Sequence, residues 1–246
     1  MLNSSAAVLR QPAGKSPNKL LAALPEADYQ RILPSLGVVP FTFKKVLHKD
    51  GGKIDTIYFP AGGVCSVTNV MSDGRMVEVA TIGNEGMVGM TAFLGGDVAT
   101  GEAFVQVPDG DAQSMPIDTF RNELDRRGPF HEVMGRYAQA LHVLIMQSAA
   151  CFSMHTVEER CSRWLLMTQD RVGQDDLRLT HEFLSYMLGV RRPTVSLVLG
   201  TLEKAGVIQN GTKKITVVNR AQLEETSCEC YQVVTSAFDR LLPQKA

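Results

Sequence analysis

Cationic side chains crowd one stretch of this chain. Arg178, Arg191, Arg192, Lys204, Lys213, Lys214 and Arg220 face only Glu182 and Glu203 between residues 178 and 220. Seven cations against two anions give that segment +5, in a 246-residue chain of formal net charge −1. Fixed positive charge suits phosphate, and arginine also matches the acceptor pair on a guanine edge. The remaining chemistry is sparser. Five cysteines, at 65, 151, 161, 228 and 230, are too few and too scattered for a disulfide scaffold. Cys228-Glu229-Cys230 is a tight pair of the kind found in redox and metal sites. The simpler reading makes it small residues on a C-terminal helix, with Cys151 and Cys161 as core thiols. A four-cysteine iron–sulfur centre would have to draw on different segments. No histidine lies between His48 and His131, which denies a β domain the clustered ligands of a metal-dependent enzyme. We therefore expect no catalytic residues, no metal ligands and no cofactor.

The elements around the cations give them a purpose. Thr180 is a good N-cap, and Phe183, Leu184, Met187 and Leu188 form an apolar stripe behind it. Gly189 supplies a turn, and a second helix opens at Pro193, burying Val195, Val198, Leu199 and Leu202 before Ala205-Gly206. Two short helices joined by a glycine turn describe a helix-turn-helix. Val207–Val218 then reads as a hairpin with a basic Asn210-Gly211 tip, a wing. With the apolar set inward, steps of about 100° turn Leu197, Thr201 and Lys204 outward, with Thr194 and Ser196 on the flanks. The N-terminal end of such a helix enters the major groove. Candidate DNA contacts are thus Thr180, Arg191, Arg192, Thr194, Ser196, Leu197, Lys204, Lys213 and Lys214.

Upstream, residues 1–19 read as a mobile tail and 20–129 as a β domain. Within it, short β-rich runs are separated by turns such as Ser72-Asp73-Gly74-Arg75, and Val77/Val79 and Ala103/Val105/Val107 alternate. Residues 130–155 switch to helical spacing. Met134, Tyr137, Leu141, Leu144, Ile145, Ser148 and Phe152 share a stripe with Phe130 and Val133. A twofold partner helix is the simplest cover for it, giving a homodimer; packing on its own sheet is the alternative. Residues 156–230 hold the winged helix, and 231–246 a tail or helix. No apolar run approaches a membrane span and no signal peptide is evident, so the chain reads as cytoplasmic with no membrane partner.

This order resembles the Crp/Fnr family of bacterial transcription regulators over roughly residues 20–230. The carrying stretches are Tyr58-Phe59-Pro60 with Gly63, Ile82–Gly89, and Leu179–Ser196, whose Gly189, Arg192 and Thr194-Val195 match the family's helix-turn-helix. The resemblance implies an α+β fold: an N-terminal antiparallel jelly roll of the cyclic-nucleotide-binding type, a long dimerisation helix and a C-terminal winged helix. It also implies double-stranded DNA with a palindromic operator as partner, and RNA polymerase if the protein activates. An effector pocket would involve Met87, Val88, Gly89, Met90, Gly101, Glu102 and Ala103. Departures are evident there. Members that bind cyclic AMP carry a Glu where Met87 stands and an Arg where Gly101 stands. From Met76 to Phe120 there is no Lys, Arg or His at all. The expectation is a sensor domain without the usual phosphate contacts, filled by Met87, Met90 and Phe93 or admitting a non-nucleotide ligand. In the helix-turn-helix, Pro193 replaces a frequent acidic residue and Leu197 a common second Arg. A ligand- or redox-responsive regulator and a metal-dependent jelly-roll enzyme are the alternative readings.

Overall fold

Burial begins earlier in the chain than the expected tail allows. The computed structural model describes residues 15–242, so most of the tail expected over 1–19 lies outside the described residues. Its last residues are fixed. Asn18 is fully buried; its Oδ1 accepts from Leu20 and Leu21 N–H, capping helix α1 (Lys19–Ala22). Its Nδ2 donates to the carbonyls of Pro60 and Gly86 at 2.9 and 2.8 Å. Ser16 donates to Gln113 Oε1. A polar side chain is held so deep only because every donor and acceptor is met. The packed part of the chain therefore includes Ser16. Helix α2 (Glu26–Ile32) follows Pro25, whose fixed φ suits a helix start.

Seven strands come next: β1 (Gly37–Pro40), β2 (Val46–His48), β3 (Thr56–Pro60), β4 (Val64–Val70), β5 (Met76–Ile82), β6 (Glu102–Val107) and β7 (Asp111–Pro116). A short helix α3 (Met90–Phe93) separates β5 from β6. The strands form two antiparallel sheets, ordered β1-β7-β3 and β2-β6-β4-β5. Asp73-Gly74 makes the β4–β5 hairpin, with Val70 opposite Met76 and Gly74 at φ 81. Between the sheets lie Cys65, Ile82, Val88, Ala103, Val105 and Ala112.

The outer face of the four-stranded sheet is covered as well. Alternation along β5 leaves Val77 and Val79 half-buried, while Glu78 and Ala80 are buried. Ser66, Thr68, Phe104 and Gln106 are buried on the neighbouring strands. The covering elements come from the C-terminal half.

Helix α4 (Ile117–Asp125) leads into α5 (Pro129–Met154), 26 residues long. Then follow α6 (Val157–Val172), β8 (Asp176–Leu177), α7 (His181–Leu188), α8 (Arg192–Lys204), β9 (Ile208–Gly211), β10 (Lys214–Val217), α9 (Arg220–Thr226) and α10 (Cys230–Leu241). The last three strands pair in the order β8-β10-β9. A capping box between Thr156 and Glu159 starts α6, and Gly173, at φ 68, ends it. Helices α6 and α7 lie on the outer sheet face. Trp164 Nε1 donates to Glu78 Oε2 at 2.6 Å, Phe183 meets Phe104 edge-on, and Ser66 Oγ lies 3.6 Å from Met187 Sδ.

This arrangement corrects the reading of the long helix. Met134, Tyr137, Leu141, Leu144 and Ser148 are buried within the chain itself, where α5 packs on β5, α4 and α10. Tyr137 Oη donates to the Met87 carbonyl at 3.1 Å, and its ring meets Phe238 of α10. Phe152 is half-buried beneath the Arg160 guanidinium. Of the expected dimer set only Ile145, 41% exposed, lies mainly at the surface. A helical period says that a face is covered, not what covers it. The open side of α5 carries Ile145, Met146, Ala149, Ala150 and Met154. Among the described residues, no helix is long and apolar enough to cross a membrane.

Candidate nucleic-acid interface

Two helix ends and one hairpin build the basic face. Thr180 Oγ1 accepts from Phe183 N–H at 3.1 Å and starts α7; Gly189, at φ 62, ends it. Only a residue that tolerates left-handed backbone makes that turn cheaply. Arg191 then occupies the N-cap of α8 with no side-chain cap, and Arg192 and Pro193 open the helix. Pro193 has no N–H and Thr194 N–H donates to the Arg191 carbonyl at 3.0 Å, so the exposed guanidinium groups of Arg191 and Arg192 are what suit this end of the helix to phosphate. Val195, Val198, Leu199 and Leu202 are buried. Leu197 is 72% exposed, on the side away from them.

Ser196 is exposed on the flank and Thr194 half-buried. Lys204 is exposed at the far end of α8, about 18 Å from Arg192 by helical rise. His181, unmarked in the sequence reading, ties the pieces together. Its Nδ1 lies 2.9 Å from Ser196 Oγ and its Nε2 lies 3.0 Å from Asn210 Oδ1, joining α7, α8 and the wing. A histidine at the first position of a helix carries no pattern that announces such contacts.

Three sequence-based roles change. The wing turn is not at Asn210-Gly211: Gly211 pairs with Lys214, so Thr212 and Lys213 form the tip, Lys213 at φ 59. Asn210 instead lies in β9, its N–H donating to Glu203 Oε1. Lys214 Nζ is paired with Asp176 Oδ2 at 2.8 Å, and Arg220 is enclosed by Asp170, Glu224, Gln169 and Tyr231. Their acidic partners, Asp176, Asp170 and Glu224, all lie outside the segment whose charge was counted. Among the described residues, Arg178, Arg191, Arg192, Lys204 and Lys213 form no ion pair. Thr180 spends its acceptor on the α7 cap and keeps its O–H to donate.

Most of the residues expected at an effector pocket are packed within the β domain. Met87, Val88 and Ala103 are buried, and Met90 is half-buried at the start of α3. A Cβ on Gly89 would sit 2.5 Å from Ile57 Cδ1 and 3.2 Å from His48 Cε1. One on Gly86 would meet the Tyr137 ring, and one on Gly101 the Thr68 carbonyl at 2.8 Å. Ile57, His48 and Tyr137 crowd the glycines of this region, and Met90 and Phe93 pack against the same core as Met87. Burial holds the His48 imidazole below its usual pKa, against a hydrogen bond to the Thr56 carbonyl. Glu102, half-buried, faces outward toward Phe104, Phe183 and Tyr186 at the seam with α7.

Away from both regions, the fold gathers Cys151, His155, Cys228 and Cys230. The expectation of no metal ligands does not account for this grouping. Two short spacings carried the signal, Cys151-x3-His155 and Cys228-x-Cys230, but 77 residues separate Cys151 from Cys228.

Residues 159–226 match the Crp-like helix-turn-helix domain family. The global nitrogen regulator of Synechococcus elongatus is 24% identical over 204 residues, 77% of this chain and 89% of that protein. The structure of FixK2 from Bradyrhizobium japonicum superposes with a TM-score of 0.68 at 15% identity, covering 78% of this chain and 98% of FixK2. The c-di-GMP responsive global regulator CLP of Xanthomonas campestris gives 0.64 at 16% identity, covering 78% and 99%.

Proposed function

We propose that this chain, which has the Crp/Fnr fold, is a DNA-binding transcriptional regulator that acts as a homodimer on a palindromic operator. The observation that carries this is the unpaired Arg191-Arg192 step at the open N-terminus of α8, beside an outward Leu197. Arg192 is assigned a base edge, Arg191 and Lys213 phosphates, and Leu197 a thymine methyl. Thr180, Thr194, Ser196 and Lys204 support phosphate contacts, with Lys214 contributing less because Asp176 already holds it. Twofold symmetry sets two recognition helices about 34 Å apart. Pro193 and Leu197 stand where relatives often carry charged readers, so the operator differs from theirs. RNA polymerase is the further partner if the protein activates.

The test is quantitative DNA binding on a site selected from genomic fragments. Arg192→Ala is expected to cost 1–3 kcal/mol, roughly 5- to 150-fold, and to relax one base position in each half-site. Lys213→Ala should weaken selected and scrambled DNA alike and lower the salt slope by about 1. Equal effects of both substitutions on scrambled DNA sink the assignment.

We further infer that the β domain is not a cyclic-AMP or cyclic-GMP receptor of the usual kind. Its support is chemical: no cation lies between Met76 and Phe120, and burial disfavours the charged form of His48, which borders Gly89. Losing a charge-assisted contact to phosphate costs about 1.5–3 kcal/mol. Calorimetric titration of the full chain is expected to give no heat of binding at micromolar cyclic nucleotide; a saturable micromolar isotherm contradicts the inference.

A further inference from the structure

At the C-terminal end of α5 the chain places three thiols and an imidazole around a common centre. Cys151 and His155 sit one helical turn apart, and Cys228 and Cys230 lie where α9 passes into α10. Cys151 Sγ is 3.5 Å from Cys228 Sγ, and Cys230 Sγ is 3.4 Å from His155 Nδ1. All four ligand atoms lie within 4.8 Å of one another. A tetrahedron with metal–sulfur bonds of about 2.3 Å and metal–nitrogen bonds of about 2.0 Å has edges of roughly 3.5–3.8 Å. The Cys151–Cys228 and Cys230–His155 separations match such edges, and the remaining ones lie within 4.8 Å, so small side-chain adjustments complete the set. Thiolates of a four-iron cluster stand farther apart.

The surroundings fit a bound cation. His155 Nε2 lies 3.2 Å from Glu229 Oε2, which fixes the ring with Nδ1 turned to the sulfurs. A carboxylate on the far nitrogen is the usual partner of a metal-binding histidine. Gln147 Nε2 approaches Cys230 Sγ at 3.1 Å. Arg160 and Arg163, both buried, act electrostatically on Cys151, and each has an Nε with no hydrogen-bond partner. Neither is in an ion pair among the described residues. Three thiolates and a divalent cation carry a net charge of −1, which offsets that buried positive charge.

We propose that Cys151, His155, Cys228 and Cys230 form a closed tetrahedral site for a thiophilic divalent cation of the Zn2+ type, clamping the end of α5 to the start of α10. Soft sulfur donors and a four-coordinate closed geometry select Zn2+ over hard cations. Binding replaces three S–H bonds by metal–sulfur bonds and releases three protons while the imidazole enters neutral. Nothing is oxidised or reduced. Because the clamp joins the long helix to the helix that follows the winged domain, its loss loosens both.

The test uses the reduced full-length chain, stripped with a chelator and titrated with Co2+ and then Zn2+. One equivalent of Co2+ should give the intense visible bands of tetrahedral thiolate coordination, displaced by Zn2+. X-ray absorption of the zinc form should show three sulfurs and one nitrogen. Cys228→Ser and Cys230→Ser should each weaken uptake at least 100-fold, and Cys65→Ala should leave it unchanged. Glu229→Gln, at a largely exposed side chain, should weaken it about 10- to 100-fold. No uptake by the reduced chain, a shell of oxygen and nitrogen only, uptake unaffected by Cys228→Ser, or an iron–sulfur chromophore would each overturn the proposal. The absorption measurement needs no variant, so a poorly folding substitution does not leave the question open.

Discussion

Trp164→Ala is expected to lower folding stability by about 3–5 kcal/mol, in the range for truncating a large buried aromatic. The indole is 4% exposed and sits on α6 against the outer face of the four-stranded sheet. Its N–H is also a donor to Glu78 Oε2, a carboxyl that is buried and whose Oε1 has no hydrogen-bond partner. Trp164→Phe keeps most of the apolar contact but withdraws that donor, leaving Thr81 as the remaining hydroxyl on the same oxygen. A cost of about 1–3 kcal/mol follows. Urea unfolding followed by circular dichroism measures both. A loss below 1 kcal/mol for the alanine variant would mean that α6 does not depend on the sheet in solution.

The same joint makes stability depend on pH. Burial raises the Glu78 pKa above the ordinary carboxylate value, and the nearby Ser66 hydroxyl, the bonds from Trp164 and Thr81 and the charge of Arg171 only partly oppose it. A raised folded-state pKa means that the neutral form is favoured on folding. Its contribution is fully present below the unfolded carboxylate pKa and is lost as pH rises through the folded value. Trp164 is the only tryptophan in the chain, so its emission reports the ionisation of its own partner. Glu78→Gln should remove that pH dependence.

Much of the interface was legible because its geometry is local. Thr180, Gly189 and the Arg191-Arg192-Pro193 step are fixed by caps and turns a few residues long, and one helical period turns Leu197 outward. The α+β order of sheet, long helix and winged helix was readable for the same reason: two periodicities alternate along the chain. What escaped depends on contacts distant in sequence. Asp176 and Asp170 neutralise Lys214 and Arg220, so a count of local charge overstated the free cations. Glu78 looks like a solvent-facing residue of an alternating strand until Trp164, 86 residues later, covers it. The wing turn slipped because Asn-Gly is a strong hairpin signal, yet Asn210 is drawn into β9 by His181 and Glu203.

Met146→Asp is expected to leave the monomer folded and to abolish high-affinity operator binding. Met146 is 60% exposed and lies on the open side of α5 with Ile145, Ala149, Ala150 and Met154, which is 79% exposed. The N-terminal half of that side carries Glu132, Arg136, Gln139 and His142 instead, so the apolar patch is confined to the last three turns. A surface substitution of this kind changes monomer stability by no more than about 0.5 kcal/mol. Across a twofold axis, however, it places two aspartates in a shared apolar seam, and unpaired buried charges cost several kcal/mol. Sedimentation equilibrium should show a dimer for the parent chain and a monomer for the variant. With each recognition helix then binding alone, the gain from linking two half-sites is lost, a fall of about 10²-fold or more in operator affinity. Leu144→Asp, only two residues away but on the buried side of α5, should unfold the protein instead. A variant that stays dimeric would place the twofold contact elsewhere, and one that is monomeric yet binds operator undiminished would show that a single winged helix suffices.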